Sequence, residues 1–328
     1  MAEVEYFLTR IQNPGLPSFA AIVRTTGSRP ELLQDALQSI ALQQFPCHAV
    51  IVVHGDNRRY SDVKSACEAQ AVVLHAGDTN RRRGYPINVG LDYCAATFPA
   101  LNFVFFLDDD DIVYPFYTAT MAAAFHASEA DVVYAASNRR SPGQPTEPGY
   151  APKPIYNVFR ENFIPVNSFA LRFSALLRSG VRMSEDLEYT EDWHFLLKLL
   201  EAGLRFHPLS AVLSEFRIVS DGNLMEKKDP ATWKAISLEI RRFINTASFP
   251  IPGAELTRWA GPDALSCAPE ALVPTAFNIR GGPEEALVAA MRGRILAMEN
   301  SLSWRCTAPL RIALGLLLRV GARRNQGT

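Results

Sequence analysis

The chain has 328 residues, 48% of them hydrophobic and 20% charged, with a formal net charge of −1 at pH 7. This is the balance of a globular protein with core enough for one large domain or two smaller ones, and it excludes the broad basic surface of a nucleic-acid binder. The five cysteines, Cys47, Cys67, Cys94, Cys267 and Cys306, are odd in number and lack CxxC spacing, so they read as reduced thiols rather than a disulfide framework or a metal site.

The opening "MAEVEYFLTRIQNPG" carries two glutamates and no apolar stretch of the secretory kind, so no signal is expected there. No run approaches the roughly 20 apolar residues that span a bilayer. "FAAIV" (19–23) is a short apolar run and predicts a buried strand. In "SRPELLQDALQSIALQ" Ser28 is placed to cap a helix, with Glu31 completing a capping box and Pro30 in the first turn. Leu32, Leu33, Ala36, Leu37 and Ile40 then mark one helical face. Further strands are expected at 49–53 ("AVIVV"), 71–74 ("AVVL"), 102–107 ("NFVFFL") and 131–135 ("DVVYA"). Helices are expected at 88–96 and after Pro115, where Met121 and Phe125 lie four apart. Strands alternating with helices imply a mostly parallel sheet with helices on both faces. The strands lack polar alternation, as covered strands do.

Residues 137–155, dense in Pro and Gly, read as a long loop. "EDWHFLLKLLEAG" (191–203) predicts a helix stopped by Gly203. Helical segments are expected near 283–300 and 308–320, with no clear pattern over 246–290. The pattern divides into a catalytic domain at 1–245, with halves at about 18–136 and 137–245, and a C-terminal extension at 246–328. Within 303–324 apolar residues such as Leu310, Leu314 and Leu318 are flanked or interrupted by Arg305, Arg311, Arg319, Arg323 and Arg324. Such a helix suits a membrane interface with anionic lipid; an ordinary packed helix or a dimer contact reads the same residues equally well.

The most informative stretch is "NFVFFLDDDDIVYP", where an apolar strand runs into Asp108, Asp109, Asp110 and Asp111. Adjacent carboxylates oppose one another's ionisation, so the cluster needs cations. At the carboxyl end of a parallel strand, where open α/β sheets bind ligands, a hard divalent ion completed by water and substrate phosphates is the natural partner. A solvated acidic turn is the plain alternative.

Several segments in order resemble the family 2 glycosyltransferases. They are "VRTTGSRPELLQDALQSIALQQ", "AVIVVHGD", "RRRGYPINVGLDYC" with its Gly-x-x-x-Asn-x-Gly spacing, "FLDDDDIVYP" with Asp-x-Asp-Asp before proline, "ENFIPVNSFALRFSALLRSG", "YTEDWHFLLKLLEAG" and "LSEFRIVSDGN", spanning about 18–225. The resemblance implies a GT-A-type Rossmann-like sandwich, with the C-terminal extension added to it. It also implies an inverting, metal-dependent transfer of a hexosyl or deoxyhexosyl group from a nucleotide-diphosphate sugar. The acceptor would be a saccharide or lipid-linked saccharide in bacterial surface polysaccharide or glycolipid assembly. By resemblance Asp110 is the main Mn²⁺ or Mg²⁺ ligand, and Asp108 contacts the ribose or the metal. Asp111 would fix a neighbouring loop or cap a helix, and Asp109, at the variable position, would be the most exposed of the four. Asp192 matches the general base, with Glu191 as the alternative and Thr190 capping their helix. Thr25, Arg29, Arg83 and Asn88 would bind the nucleotide-sugar; Arg82 could join them on a basic loop.

Three departures bear on these expectations. "HGD" stands where the family's second strand ends in base-reading aspartates, so either Asp56 or His54 takes that place. UDP- or dTDP-sugars are favoured and GDP stays open. Val219 stands where many members have a histidine in the metal shell, and Arg24 where they often have proline. A binding or scaffold protein that has lost turnover is the rival reading. The expected location is the cytoplasm, at the inner face of the plasma membrane if the tail binds lipid.

Overall fold

The computed structural model describes residues 17–77, 83–219 and 229–250. Its elements run β1 (Phe19–Thr25), α1 (Pro30–Ala41), β2 (Cys47–Val53), α2 (Asn57–Cys67), β3 (Val72–His75), α3 (Gly84–Thr97), β4 (Phe103–Asp108), β5 (Ile112–Val113), α4 (Tyr117–Ala127), β6 (Val132–Arg140), β7 (Glu147–Tyr150), β8 (Phe169–Arg172), α5 (Phe173–Ser179), α6 (Glu191–Glu201), β9 (Phe206–Arg217) and α7 (Pro230–Thr246). The sheet order is β3-β2-β1-β4-β8-β6-β9-β5, with β7 beside β6.

The sequence pattern places the first five expected strands and α1, α3, α4 and α6, but two expectations about the sheet need correction. The sheet is mixed: β3, β2, β1 and β4 are parallel, as are β6 and β9, whereas the β4–β8, β6–β8, β6–β7 and β5–β9 pairs are antiparallel. β8 enters between β4 and β6 and runs opposite to both. The span 137–155 is no continuous loop either. β6 runs on to Arg140 because β9 pairs with it along its whole length, and β7 returns beside it. The helix α7 was not announced by the pattern. The segments 283–300, 308–320 and 303–324, and all of the C-terminal extension beyond 250, lie outside the described residues.

Alternation along β1 divides the core in two. Ala20 and Ile22 join Ile87, Leu91, Phe106 and Phe195 on one face; Phe19, Ala21 and Val23 join Leu33, Leu37, Ile40 and Met121 on the other. A strand buried on both faces must be apolar throughout, which is why "FAAIV" shows no alternation. The face of α1 is Leu33, Ala36, Leu37 and Ile40, but Ser28 does not cap it. Arg29 occupies that position without a side-chain cap, and the Ser28 hydroxyl lies 2.8 Å from that of Thr26. The described cysteines, Cys47, Cys67 and Cys94, are free and buried.

The Gly-x-x-x-Asn-x-Gly stretch is a packing device. A Cβ on Gly84 would stand 2.2 Å from the Ser184 carbonyl oxygen, and one on Gly90 2.5 Å from Ile22 Cγ2. Asn88, on the same helix, is buried. It donates to the Met183 carbonyl at 3.0 Å and to Glu185 at 2.9 Å, and accepts from the Met183 N–H at 3.1 Å. The helix α3 is thereby pressed on β1 and tied to the segment leading to α6. Gly90→Ala should overpack this contact and cost about 1–3 kcal/mol, measured as a lowered urea midpoint; an unchanged midpoint would show that α3 can shift freely.

Candidate active site

The strand order reverses between β1 and β4, the place in an open sheet where ligands bind beyond the carboxyl ends. Arg24 on β1 and Asp108 on β4 are register partners there. The Arg24 guanidinium, 4% exposed, grips both Asp108 oxygens through Nε and Nη2, and its Nη1 donates to Glu191 Oε1 at 2.6 Å. Arg83, at the amino end of α3, repeats the bridge from the other side. Its Nη2 reaches Asp108 Oδ2 at 2.7 Å and its Nε reaches Glu191 Oε1 at 3.1 Å. Two guanidiniums and two carboxylates thus join β1, β4, α3 and α6.

The same grouping sets the charge states. Burial alone would raise the Asp108 and Glu191 carboxyls, but Arg24 and Arg83 outweigh it and hold both below the usual range. Asp110 is different. Burial and the adjacent Asp108 charge push it up to about 6, although Arg29 Nη1 pairs with it. Beside them His54 is lowered to about 4 by burial and by the Arg24 and Arg83 charges, so it is a neutral imidazole at pH 7.

Asp109 is 2% exposed, not the most exposed of the four. It accepts from the Thr25 hydroxyl and from Arg29 Nη2. Asp111 is buried too and caps no helix. It accepts from the Arg217 N–H at 2.9 Å and from Asn167 Nδ2 at 3.0 Å, holding the end of β9 against the site. Burial, then Asp110 and Asp108, raise it well above the usual carboxyl range.

Asp192 turns away from this grouping. Its Oδ1 accepts from the Trp193 N–H at 2.8 Å and its Oδ2 from Asn162 Nδ2 at 3.0 Å. Burial and neighbouring Glu191 push it up to about 6. Thr190 precedes the helix in a left-handed conformation (φ 61°), and its hydroxyl donates to the Tyr189 carbonyl, so it gives no side-chain cap.

The structure therefore gathers Thr25, Arg29, Arg83, Asp108, Asp110 and Glu191, with His54 beside them. It does not bring in two residues expected at the nucleotide. Asp56 is 55% exposed and caps α2 by accepting from the Arg59 N–H at 2.9 Å. Asn88 spends its amide on the 183–185 backbone and Glu185, as above. Arg82 lies outside the described residues. The residue that sequence reading underrated is Arg24. Its signal was present: a charge inside the otherwise apolar "FAAIVRT" must find a buried partner. Nothing local marks Asn162.

For a divalent ion the donor set is specific. Both Asp108 oxygens are taken by guanidiniums, so Asp108 does not fit as a ligand. Asp110 does. Three arginines (24, 29 and 83) face four acids (108, 109, 110 and 191), which leaves one negative charge over at its exposed end. Among the described residues no group of three His, Cys, Asp or Glu stands ready to hold a metal. Asp110 would bind such an ion as a single carboxylate, with phosphate oxygens and water completing the shell.

No protein-family model and no curated protein matches the sequence. Solved structures do. The chain is similar to S. aureus TarS 1-349, with TM-score 0.54 and 18% identity over 85% of this chain and 82% of that one. It is also similar to TarS 1-349 in complex with UDP-GlcNAc, with TM-score 0.56 and 19% identity over 83% and 79%. For TarS 1-349 in complex with UDP the values are 0.50 and 18% over 84% and 88%. At these identities the likeness is one of fold.

Arg24→Met would leave Asp108 and Glu191 buried with only Arg83 between them. A loss of about 3–5 kcal/mol in chemical denaturation is expected, partly recovered when Glu191→Gln is added. Equal stability of wild type and single variant would remove Arg24 from its central place.

Proposed function

We propose that the protein is a glycosyltransferase that takes a sugar from a nucleoside diphosphate donor and inverts its anomeric configuration. The observation carrying this reading is the division between neighbouring acids, after β4 and at the start of α6. Asp108 and Glu191 are locked as counter-ions, whereas Asp110 and Asp192 are left with spare acceptor capacity and raised carboxyls. The UDP-GlcNAc and UDP complexes of the similar TarS fold support a uridine nucleotide.

In this reading the donor's diphosphate lies at the strand ends near Arg83, whose Nη1 has no partner among the described residues, and Arg29. Asp110 would hold Mn²⁺ or Mg²⁺, which when bound neutralises charge growing on the leaving diphosphate. Asp192 is the general base. It takes the proton of the acceptor hydroxyl as that oxygen bonds to the anomeric carbon, while the bond to the diphosphate breaks and its electron pair leaves with the phosphate. Asn162 and the Trp193 N–H hold the Asp192 carboxylate in place. Glu191 does not suit this role: Arg24 and Arg83 occupy it, and its depressed carboxyl makes it a poor base. A saccharide or lipid-linked saccharide is the proposed acceptor, with assembly of bacterial surface polysaccharide or glycolipid as the setting. Among the described residues no helix is long and apolar enough to cross a membrane; contact with a membrane surface or a second copy through 303–324 is part of the proposal. One observation favours the rival reading of a binding protein without turnover: Asp56 is spent as a helix cap.

Asp192→Asn should keep UDP-GlcNAc binding in calorimetry and lower release of UDP by about 10²–10⁴-fold; near-normal release would take the base away from Asp192. Because a base must be ionised and burial raises this carboxyl to about 6, release should rise as pH increases through about 6 and then level. A flat profile from pH 5 to 8 would contradict it. Asp110→Ala should abolish the Mn²⁺-dependent part of UDP binding with the fold intact by circular dichroism. Donor binding by wild type with no release under any condition would leave the binding-protein reading.

A further inference from the structure

Arg29 stands at the amino end of α1, before Pro30, with its carbonyl accepting from the Leu33 N–H at 3.0 Å. Its backbone is held while its side chain forks across two acids, Nη2 to Asp109 and Nη1 to Asp110. The two ends differ. Asp109 is enclosed and also pinned by the Thr25 hydroxyl, whereas Asp110 keeps 18% of its side chain exposed. The Arg29 Nε is buried and has no hydrogen-bond partner among the described residues. Arg29 Nη1 occupies Asp110, which fits a divalent ion, and two cations on one carboxylate repel at such short range.

We propose that Arg29 is the resident counter-ion of Asp110 and exchanges it for the donor's diphosphate, so that a divalent ion binds together with the nucleotide and only weakly alone. The inference rests on the donor-binding reading above. Nη2 stays on Asp109 as the pivot. Nη1 leaves Asp110 as the ion arrives, and the guanidinium turns to a phosphate oxygen. Each charge keeps a partner throughout: the ion replaces Nη1 on Asp110, and the diphosphate replaces Asp110 on Nη1. Arg29 thereby couples two binding events that a bare carboxylate would leave independent.

Calorimetric titration of Mn²⁺ alone, and of UDP in the presence of Mn²⁺, into wild type, Arg29→Gln and Arg29→Lys tests this. Arg29→Gln should bind Mn²⁺ alone about tenfold more tightly and UDP with Mn²⁺ about tenfold more weakly, a divergence of about 1.4 kcal/mol in each direction. Arg29→Lys should fall between, because an ammonium is a point charge and lacks the fork. A purely structural role would weaken both. Unchanged Mn²⁺ affinity, or two changes of the same sign, would overturn the proposal. If wild type binds no UDP at any Mn²⁺ concentration, the donor reading fails, and the Mn²⁺ titration still decides whether Arg29 guards Asp110.

Discussion

The site depends on one buried guanidinium. Arg24 lies in a strand whose other residues are packed on both faces, and a charge there is tolerable only if its partners are fixed as well. Asp108 meets it across the β1–β4 register and Glu191 meets it from α6. The position of α6 against the sheet, and so of Asp192 one residue on, follows from satisfying that charge. Arg83 doubles the constraint from α3, which makes the cluster a four-element joint.

This arrangement answers the difficulty of four consecutive aspartates. They are not four equivalent charges facing solvent. Asp108 is neutralised by two guanidiniums, Asp109 is closed in by Thr25 and Arg29, and Asp111 is turned to the backbone of β9. Asp110 keeps 18% of its side chain exposed and is held by a single arginine. The environments push neighbouring carboxyls in opposite directions, Asp108 down and Asp110 up, and likewise Glu191 down and Asp192 up. Such separation between adjacent acids is how one type of side chain serves both as fixed counter-ion and as reactive group.

The Gly84, Asn88 and Gly90 helix shows a motif spent on packing and backbone ties. Its two glycines permit contacts that any Cβ would block, and its asparagine ties the backbone ahead of α6. The site is thus built on packed secondary structure, the condition for holding reactive groups to sub-ångström tolerance.

Sequence alone determined the covered strands β1, β2 and β4, the apolar face of α1, the placing of acids at a strand end and the candidate pair Glu191 and Asp192. These are carried by local periodicity, by composition and by the order of short motifs. It did not determine which acids would be neutralised. That Asp108 and Glu191 share Arg24, that Asp109 is enclosed, and that Asn88 ties α3 to the 183–185 segment depend on partners 20 to 170 residues away along the chain, through contacts such as Arg24 to Glu191 at a separation of 167. The antiparallel entry of β8 and the length of β6 were hidden for the same reason: both are set by the strand alongside. Charge pairing in a low-dielectric interior is a property of three-dimensional neighbours; the sequence supplies the charges, and only the packed sheet decides which of them remain free to act.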